Sequence, residues 1–429
     1  MKKFDRDKYL KKLKFKRAWR KYERYFYIGV PCLMITILGI YFTYSKFSSS
    51  KEEEVVRTTV SEFIHGDVVI GAYIDGEYSK TIPGKDDGYI VKNVVCDNGA
   101  VGTWNDDKWG LLTTNMTKRS KCNVYFETKK PSVVEAVTTA MSADSSMFAN
   151  DDPDSNIRYI GSNPSNYVYF NCSDYSNQSD STCEKWRIIG VFNNTTKSDG
   201  TKENLVKIIR EESIGNYSWD YTSSDSYLND WSNGTLQKLL NSGAYYNGIT
   251  GIYYNGSTTA TNVDFTSTGL KNDITRNTIE SVVWNLGGVD SPGLPVSTFY
   301  TEERGTTVYS GRPTTWAGKI GLMYSSDYGY ATSGGATTNR VTCLSTNLRS
   351  WNSYSDCYGN DYLFNNTYQW TLVSRSGNAN YVFFIYTSGY VTGYGTNYTL
   401  GVRPALYLKS NISVKSGNGT SSTPYQLNL

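Results

Sequence analysis

Apolar and polar residues follow different periods in successive parts of the chain. Tyr25–Tyr44, YFYIGVPCLMITILGIYFTY, is twenty residues without a charge. As a helix it is long enough to cross a hydrocarbon core of about 30 Å. Tyr25, Phe26 and Tyr27 at one end and Tyr41, Phe42 and Tyr44 at the other make an aromatic belt on both flanks. Pro31 falls in the first turns, where it disturbs a helix least. From His65 the pattern becomes alternating. DVVIGAYIDGEYSKTIPGKDDGYIVKNVVC is punctuated by Asp75-Gly76, Pro83-Gly84 and Asp87-Gly88, and predicts a small all-β module over 65–130. Within it Val91–Val95 and Cys122–Phe126 are expected strands. VVEAVTTAM then predicts a short helix, and the acids Asp144, Asp151, Asp152 and Asp154 make 131–155 read as a polar linker.

After Ser155 one unit is expected, spanning 156–429. IRYIG, NYVYFN, EKWRIIGVF and LVKIIREE read as successive strands. WSNGTLQKLLNSGAYY reads as a helix with Leu236, Leu239 and Leu240 on one face. NTIESVVWNLGG reads as a second helix ending at Gly287-Gly288. YQWTLVSRS, NYVFFIYTSGYVTGY and LGVRPALYL return to strands. Strands, then helices, then strands predict an α+β fold with long loops.

Charge sharpens the first segment. Of the +3 net charge, residues 1–24 carry +9, from twelve Lys or Arg and three acids, so the remainder carries −6. The basic charge is therefore a tail before an uncharged span and not a nucleic-acid surface. A basic tail of 24 residues with no A-x-A site after the span argues against a cleaved signal peptide. The expectation is a cytoplasmic tail (1–24) on anionic lipid, a transmembrane helix (25–44), a stalk (45–64) and extracellular domains beyond.

Six of the seven cysteines follow the span: Cys96, Cys122, Cys172, Cys183, Cys343 and Cys357. An even set in an exported region reads as disulfides. Fifteen connectivities are open, and nearest-neighbour pairing is the simplest. Cys32 lies in the span. No pair has C-x-x-C spacing, so zinc and redox readings are weak.

The single histidine removes many chemistries. A Ser–His–Asp triad or a Cys–His pair would have to use His65, which reads as a solvated residue of the stalk region. Trp104-Asn105-Asp106 matches a calcium-site tripeptide of C-type lectins, but it stands in TWNDDKWG and reads as a turn with a packed Trp104. Among acids of the last domain, Glu302, Glu303 and Asp327 are the candidates from which a hydrolase's catalytic carboxylate pair could be drawn, with solvated loop positions as the default. Arg403 before Pro404 is expected to be buried and paired. No GxSxG, Walker A or GxGxxG context appears.

Several runs carry a resemblance. Trp231–Leu240 with Asn241 is similar to a tryptophan-to-"LN" helix, and KIGLMYSSDYGY at Lys319–Tyr330 to an "LLS-x-x-E/D" element. WTLVSR at Trp370–Arg375 is similar to a "WWLRS" strand, and Gly389 with LGVRPALYL at Leu400–Leu408 to a Gly-strand and a closing "GVRPAL" strand. In this order they resemble a domain family of unknown function from Gram-positive gut bacteria. That family is similar to the formylglycine-generating-enzyme-like branch of the C-type lectin fold. The resemblance covers about Asn156–Leu429. It implies a rigid β scaffold whose last strands carry a ligand-facing surface. The fold's enzymatic member holds copper with a cysteine pair. Only Cys343 and Cys357 match in number, and a structural disulfide is expected of them.

Composition points to the same segment. The chain has 37 Tyr, and Tyr with Ser, Gly and Asn is the chemistry of adaptable binding surfaces. Tyr381, Tyr386, Tyr390, Tyr394, Asn397 and Tyr398 cluster in Asn378–Tyr398. They are the expected ligand contacts of a non-catalytic recognition module for glycan or protein, without cofactor or metal. A surface enzyme and a structural envelope or pilus-associated component are the alternatives.

Overall fold

The computed structural model describes residues 7, 10–22, 68–116 and 118–429. The expected span, Cys32, the stalk and His65 lie outside them. Among the described residues no helix is long and apolar enough to cross a membrane. Residues 10–22 are helical, with Phe15 and Trp19, one turn apart, stacked at 6.3 Å. Contacts divide the chain into two units, Met1–Lys129 and Lys130–Leu429. Both are mostly sheet, with a few short helices in the second.

In the first unit a four-stranded sheet runs in the order Glu77–Ser79, Val68–Ile74, Ser120–Thr128, Tyr89–Cys96. Period-two alternation buries Ala72, Val124 and Phe126 on one face. That face is covered by a hairpin, Val101–Asn105 with Gly110–Thr114, through Trp104, Trp109 and Leu111. Trp104 packs edge-on to Phe126 at 5.4 Å from within a strand, not from a turn as its sequence suggested. Cys96 and Cys122 face each other across the antiparallel pair and are joined.

In the second unit one sheet orders Ile279–Glu280, Ala405–Leu408, Lys202–Arg210, Glu184–Thr196, Ile157–Tyr159 and Phe148–Ala149. The long strands Glu184–Thr196 and Lys202–Arg210 are its spine. Gly190 is required where they bulge, because a Cβ there would stand 2.1 Å from the Ile157 carbonyl oxygen. A second sheet orders Asn216–Ser218, Thr399–Gly401, Gln369–Ser374, Tyr381–Ile385 and Val391–Gly395. One large apolar core fills the unit, with a small separate cluster around Tyr169, Cys172 and Cys183.

Three sequence expectations need correction. Segment 131–155 is not a linker. Ser132 and Glu135 form a capping box at the start of the helix Val133–Ala143, and Val133 and Val137 enter the core. Phe148–Ala149 then adds an edge strand, and Asp152 is buried against Arg158. NTIESVVWNLGG is not one helix: the helix Asp273–Thr278 gives way to strands Ile279–Glu280 and Val282–Asn285. Alternating burial of Val282 and Trp284 outweighs the helical spacing. LGVRPALYL is not one strand. Thr399–Gly401 serves one sheet and Ala405–Leu408 the other, and Arg403 crosses between them. Arg403 is buried as expected, donating to the carbonyls of Arg210 and Leu363 and to Gln369.

Cys172–Cys183 and Cys343–Cys357 are the other two disulfides. Three local bridges are what an exported protein carries.

Candidate binding face

Tyr381–Ile385 and Val391–Gly395 are adjacent antiparallel strands, and the chain turns between them through Tyr386–Tyr390. The turn closes because Tyr386 and Tyr390 pair across it and Gly389 takes a φ of 85° that a side chain would resist. Alternation puts Phe384 on the pleat shared with Trp370 on the next strand and with Tyr386 beyond the strand end. Phe384 is the hub of an aromatic patch. Its ring centroid lies 6.0 Å from Trp370, 6.1 Å from Tyr368, 6.1 Å from Tyr386 and 5.6 Å from Tyr394.

The outer layer is tyrosine. Tyr386 and Tyr390 stack at 4.7 Å, and Tyr394 and Tyr398 stack at 3.8 Å. Tyr368 stands edge-on to Tyr386 at 4.8 Å. Tyr368, Tyr394 and Tyr398 are 39%, 38% and 47% exposed. A hydrogen bond with Tyr368, then the neighbouring phenols, pushes the Tyr386 phenol up; a bond with Tyr398 does the same for Tyr394. Both therefore stay neutral at physiological pH. The patch offers flat apolar ring faces edged with hydroxyl donors and carries no charge of its own.

Four of the six expected contacts, Tyr386, Tyr390, Tyr394 and Tyr398, thus converge. Asn397 lies beside them, its amide oxygen against Gly395. Tyr381 is exposed but stacks on none of these rings; it lies over Gly393 beside the stem of Arg375. Tyr368 and Phe384 were missed. Tyr368 precedes the Gln369–Ser374 strand and joins the patch only through strand pairing. Phe384 shares the even-numbered pleat with Tyr386 and Tyr394, and that alternation could have revealed it.

The patch is held from below. The hydroxyl of Tyr328, on the buried helix Ser325–Tyr330, donates to the Gly389 carbonyl at 2.7 Å. The Tyr358 ring packs under Gly389. Cys343–Cys357 ties the helices Arg340–Ser345 and Ser355–Gly359 beside it.

The candidate acids do not form a solvent-facing pair. Glu303 and Asp327 are wholly buried, which corrects the expectation of solvated loop acids. Asp327 accepts from Lys207 at 2.5 Å and from Arg158 at 2.9 Å, and Arg158 also holds Asp152 at 2.6 Å. Burial alone would raise the Asp327 carboxyl, but the charges of Lys207 and Arg158 outweigh it and hold it well below the usual range. Burial pushes Lys207 down to about 8. Glu303 accepts from the amide and hydroxyl of Ser326, and burial pushes it up to about 7. Glu302 is half-exposed, and burial, with the nearby charge of Asp290 adding to it, pushes its carboxyl up. Asp152, Arg158, Asp327 and Lys207 brace the fold as a chain of buried ion pairs, with Arg158 Nη2 left without a hydrogen-bond partner among the described residues. Cys343 and Cys357 are buried and joined, leaving no thiolate to ligate copper in this state. Among the described residues no group of three His, Cys, Asp or Glu could hold a metal ion.

Compared with known proteins, the chain matches no family model, no curated protein and no solved structure.

Proposed function

We propose that the chain is a membrane-anchored extracellular recognition protein that binds a glycan through the tyrosine face, without catalysis. The observation that carries this reading is the contiguous layer of Tyr368, Tyr386, Tyr390, Tyr394 and Tyr398, part-exposed on strands braced from the core. Neutral stacked rings edged with hydroxyls suit the apolar faces and hydroxyls of sugars. The scaffold is read as C-type-lectin-like on the sequence resemblance given above. Anchorage is assigned to Tyr25–Tyr44, with the N-terminus in the cytoplasm. The exposed Phe15 and Trp19 on a helix with seven Lys or Arg in residues 10–22 suit an anionic membrane surface.

The test is a glycan array and a protein array probed with the protein, followed by oxidative footprinting of the tyrosines with the ligand found. Protection of Tyr386, Tyr390, Tyr394 and Tyr398 by a glycan is the expected result. Protection elsewhere, or a protein ligand only, contradicts the reading.

A further inference from the structure

A second site is built in the same unit, and none of its lining residues belongs to the tyrosine face. A cavity of about 360 Å³ opens at the end of the long strands Glu184–Thr196 and Lys202–Arg210. Its apolar walls are the rings of Phe192, Trp284, Tyr324 and Tyr407. Those four rings also surround the buried Lys207 ammonium, at 4.4–5.6 Å from their centroids. That ammonium is already paired with Asp327 at 2.5 Å, so the charge behind the apolar wall is balanced and the cavity's own cation has to come from elsewhere.

Arg304 is the cation that reaches the cavity itself. Its guanidinium lies flat over the Tyr300 ring at 3.4 Å and faces the Tyr324 ring at 5.3 Å, so its plane is fixed. Nη1 donates to the Tyr300 carbonyl at 3.2 Å and reaches Glu303 at 3.5 Å. Nε stands 3.9 Å from Asp154, a carboxylate already taken by the Tyr300 hydroxyl at 2.6 Å. Nη2 has no acceptor among the described residues. Glu303 Oε2 is taken mainly by the Ser326 hydroxyl and meets only Nη1 of Arg304, at 3.5 Å, so Nη2 is the open donor. A half-buried arginine with a fixed plane and an open edge fits an incoming carboxylate.

The rest of the lining tells what the carboxylate is attached to. The side-chain amides of Asn194 and Asn285 and the hydroxyl of Thr196 line the cavity and bond to nothing among the described residues. They are uncharged donors and acceptors suited to hydroxyl groups. The volume is at the low end of the usual range of about 300–1,000 Å³ for small-molecule pockets, which suits one ring and not a chain. We propose that this cavity binds a single hexuronate ring, its carboxylate on Arg304 and its hydroxyls on Asn194, Asn285 and Thr196. The ring comes either as the free acid or as the terminus of an acidic polysaccharide.

The test is calorimetric titration of the full-length protein with sodium glucuronate, with glucose as the neutral control, and with a glucuronate-terminated oligosaccharide. Glucuronate should bind, and glucose should bind about 10- to 100-fold more weakly, the loss of one charge-assisted pair. Arg304→Gln should weaken glucuronate by the same factor and leave glucose unchanged. Tighter binding of the oligosaccharide than of the free acid identifies the polysaccharide terminus as the source; the reverse identifies the free acid. Should Arg304→Gln not fold, Asn285→Ala with Thr196→Val, on the cavity wall, should weaken both sugars. Equal affinity for glucuronate and glucose, no binding of glucuronate at millimolar concentration, or wild-type affinity in a folded Arg304→Gln protein would each overturn the proposal.

Discussion

Tyr328 and Gly389 are joined by a hydrogen bond that links the charged interior to the tyrosine face. Tyr328 follows Asp327 directly, so the helix that anchors Arg158 and Lys207 also holds the turn between Tyr386 and Tyr390. Both groups are buried, and the bond fixes the height of the turn. Tyr328→Phe removes the donor and leaves the Gly389 carbonyl unpaired. The expected cost is about 1–3 kcal/mol of stability. Faster amide exchange confined to 386–391 and weaker ligand attachment should accompany it. Unchanged exchange there would show that the turn is held by other contacts.

Asp327→Asn should be far more damaging. It strips the compensating charge from Lys207 and one of the two carboxylates from Arg158, which keeps Asp152, and neither cation can reach water. Breaking a buried pair from one side costs about 3–5 kcal/mol. Urea denaturation should show that loss, and restoring part of it with Lys207→Met in the same chain would confirm that the stranded ammonium is the cause. A wild-type midpoint for the single variant would mean that the cluster relaxes into solvent.

Glu303 gives a pH dependence with a definite sign. Burial raises its carboxyl from 4.5 to about 7, against Arg304 and the Ser326 bonds that pull it down and with Asp327 adding to the rise. Between these values the folded chain keeps a proton that the unfolded chain has released. This group's contribution to stability is therefore fully present below pH 4.5 and falls as pH rises toward 7, by up to about 3 kcal/mol. Glu303→Gln should flatten that fall when denaturation midpoints are compared across the window. A parallel decline in both proteins would assign it to other groups.

The three disulfides predict the behaviour of the reduced protein. Cys343→Ala with Cys357→Ala opens a loop that joins two short helices beside the tyrosine turn. In the chain-entropy account a loop of this size is worth about 3 kcal/mol. Peptide mapping without reduction should recover Cys96–Cys122, Cys172–Cys183 and Cys343–Cys357. Alkylation of Cys343 in the native, unreduced protein would contradict this pairing.

The sequence was most legible where a continuous apolar run or a helical spacing decides burial and least where tertiary contacts do. The strands Glu184–Thr196 and Lys202–Arg210 are apolar runs buried through their middle, and the leucines of Thr235–Asn241 keep their helical spacing. The acids of 151–154 look like linker, because nothing local shows that Arg158 will bury Asp152. Glu303 and Asp327 look solvated for the same reason: their partners are 23 and 120 residues away. The four convergent tyrosines lie in one hairpin and its following turn, so sequence adjacency nearly equals spatial adjacency. Tyr368 comes from the neighbouring strand and could not be read that way. Nothing local in the sequence marks Arg304. Its open edge depends on Tyr300, Tyr324 and Asp154 together, which no spacing reveals.

The most direct test of the recognition face is the triple variant Tyr386→Ala, Tyr390→Ala, Tyr394→Ala, measured against wild type for attachment to the ligand found on the array. Tyr394 is exposed and the other two are half-buried at a hairpin end, so the protein should still fold, with its three disulfides intact. Aromatic hot spots are worth about 2 kcal/mol or more each, so attachment should fall below detection while the melting transition remains cooperative. A folded triple variant that binds as tightly as wild type would contradict the account.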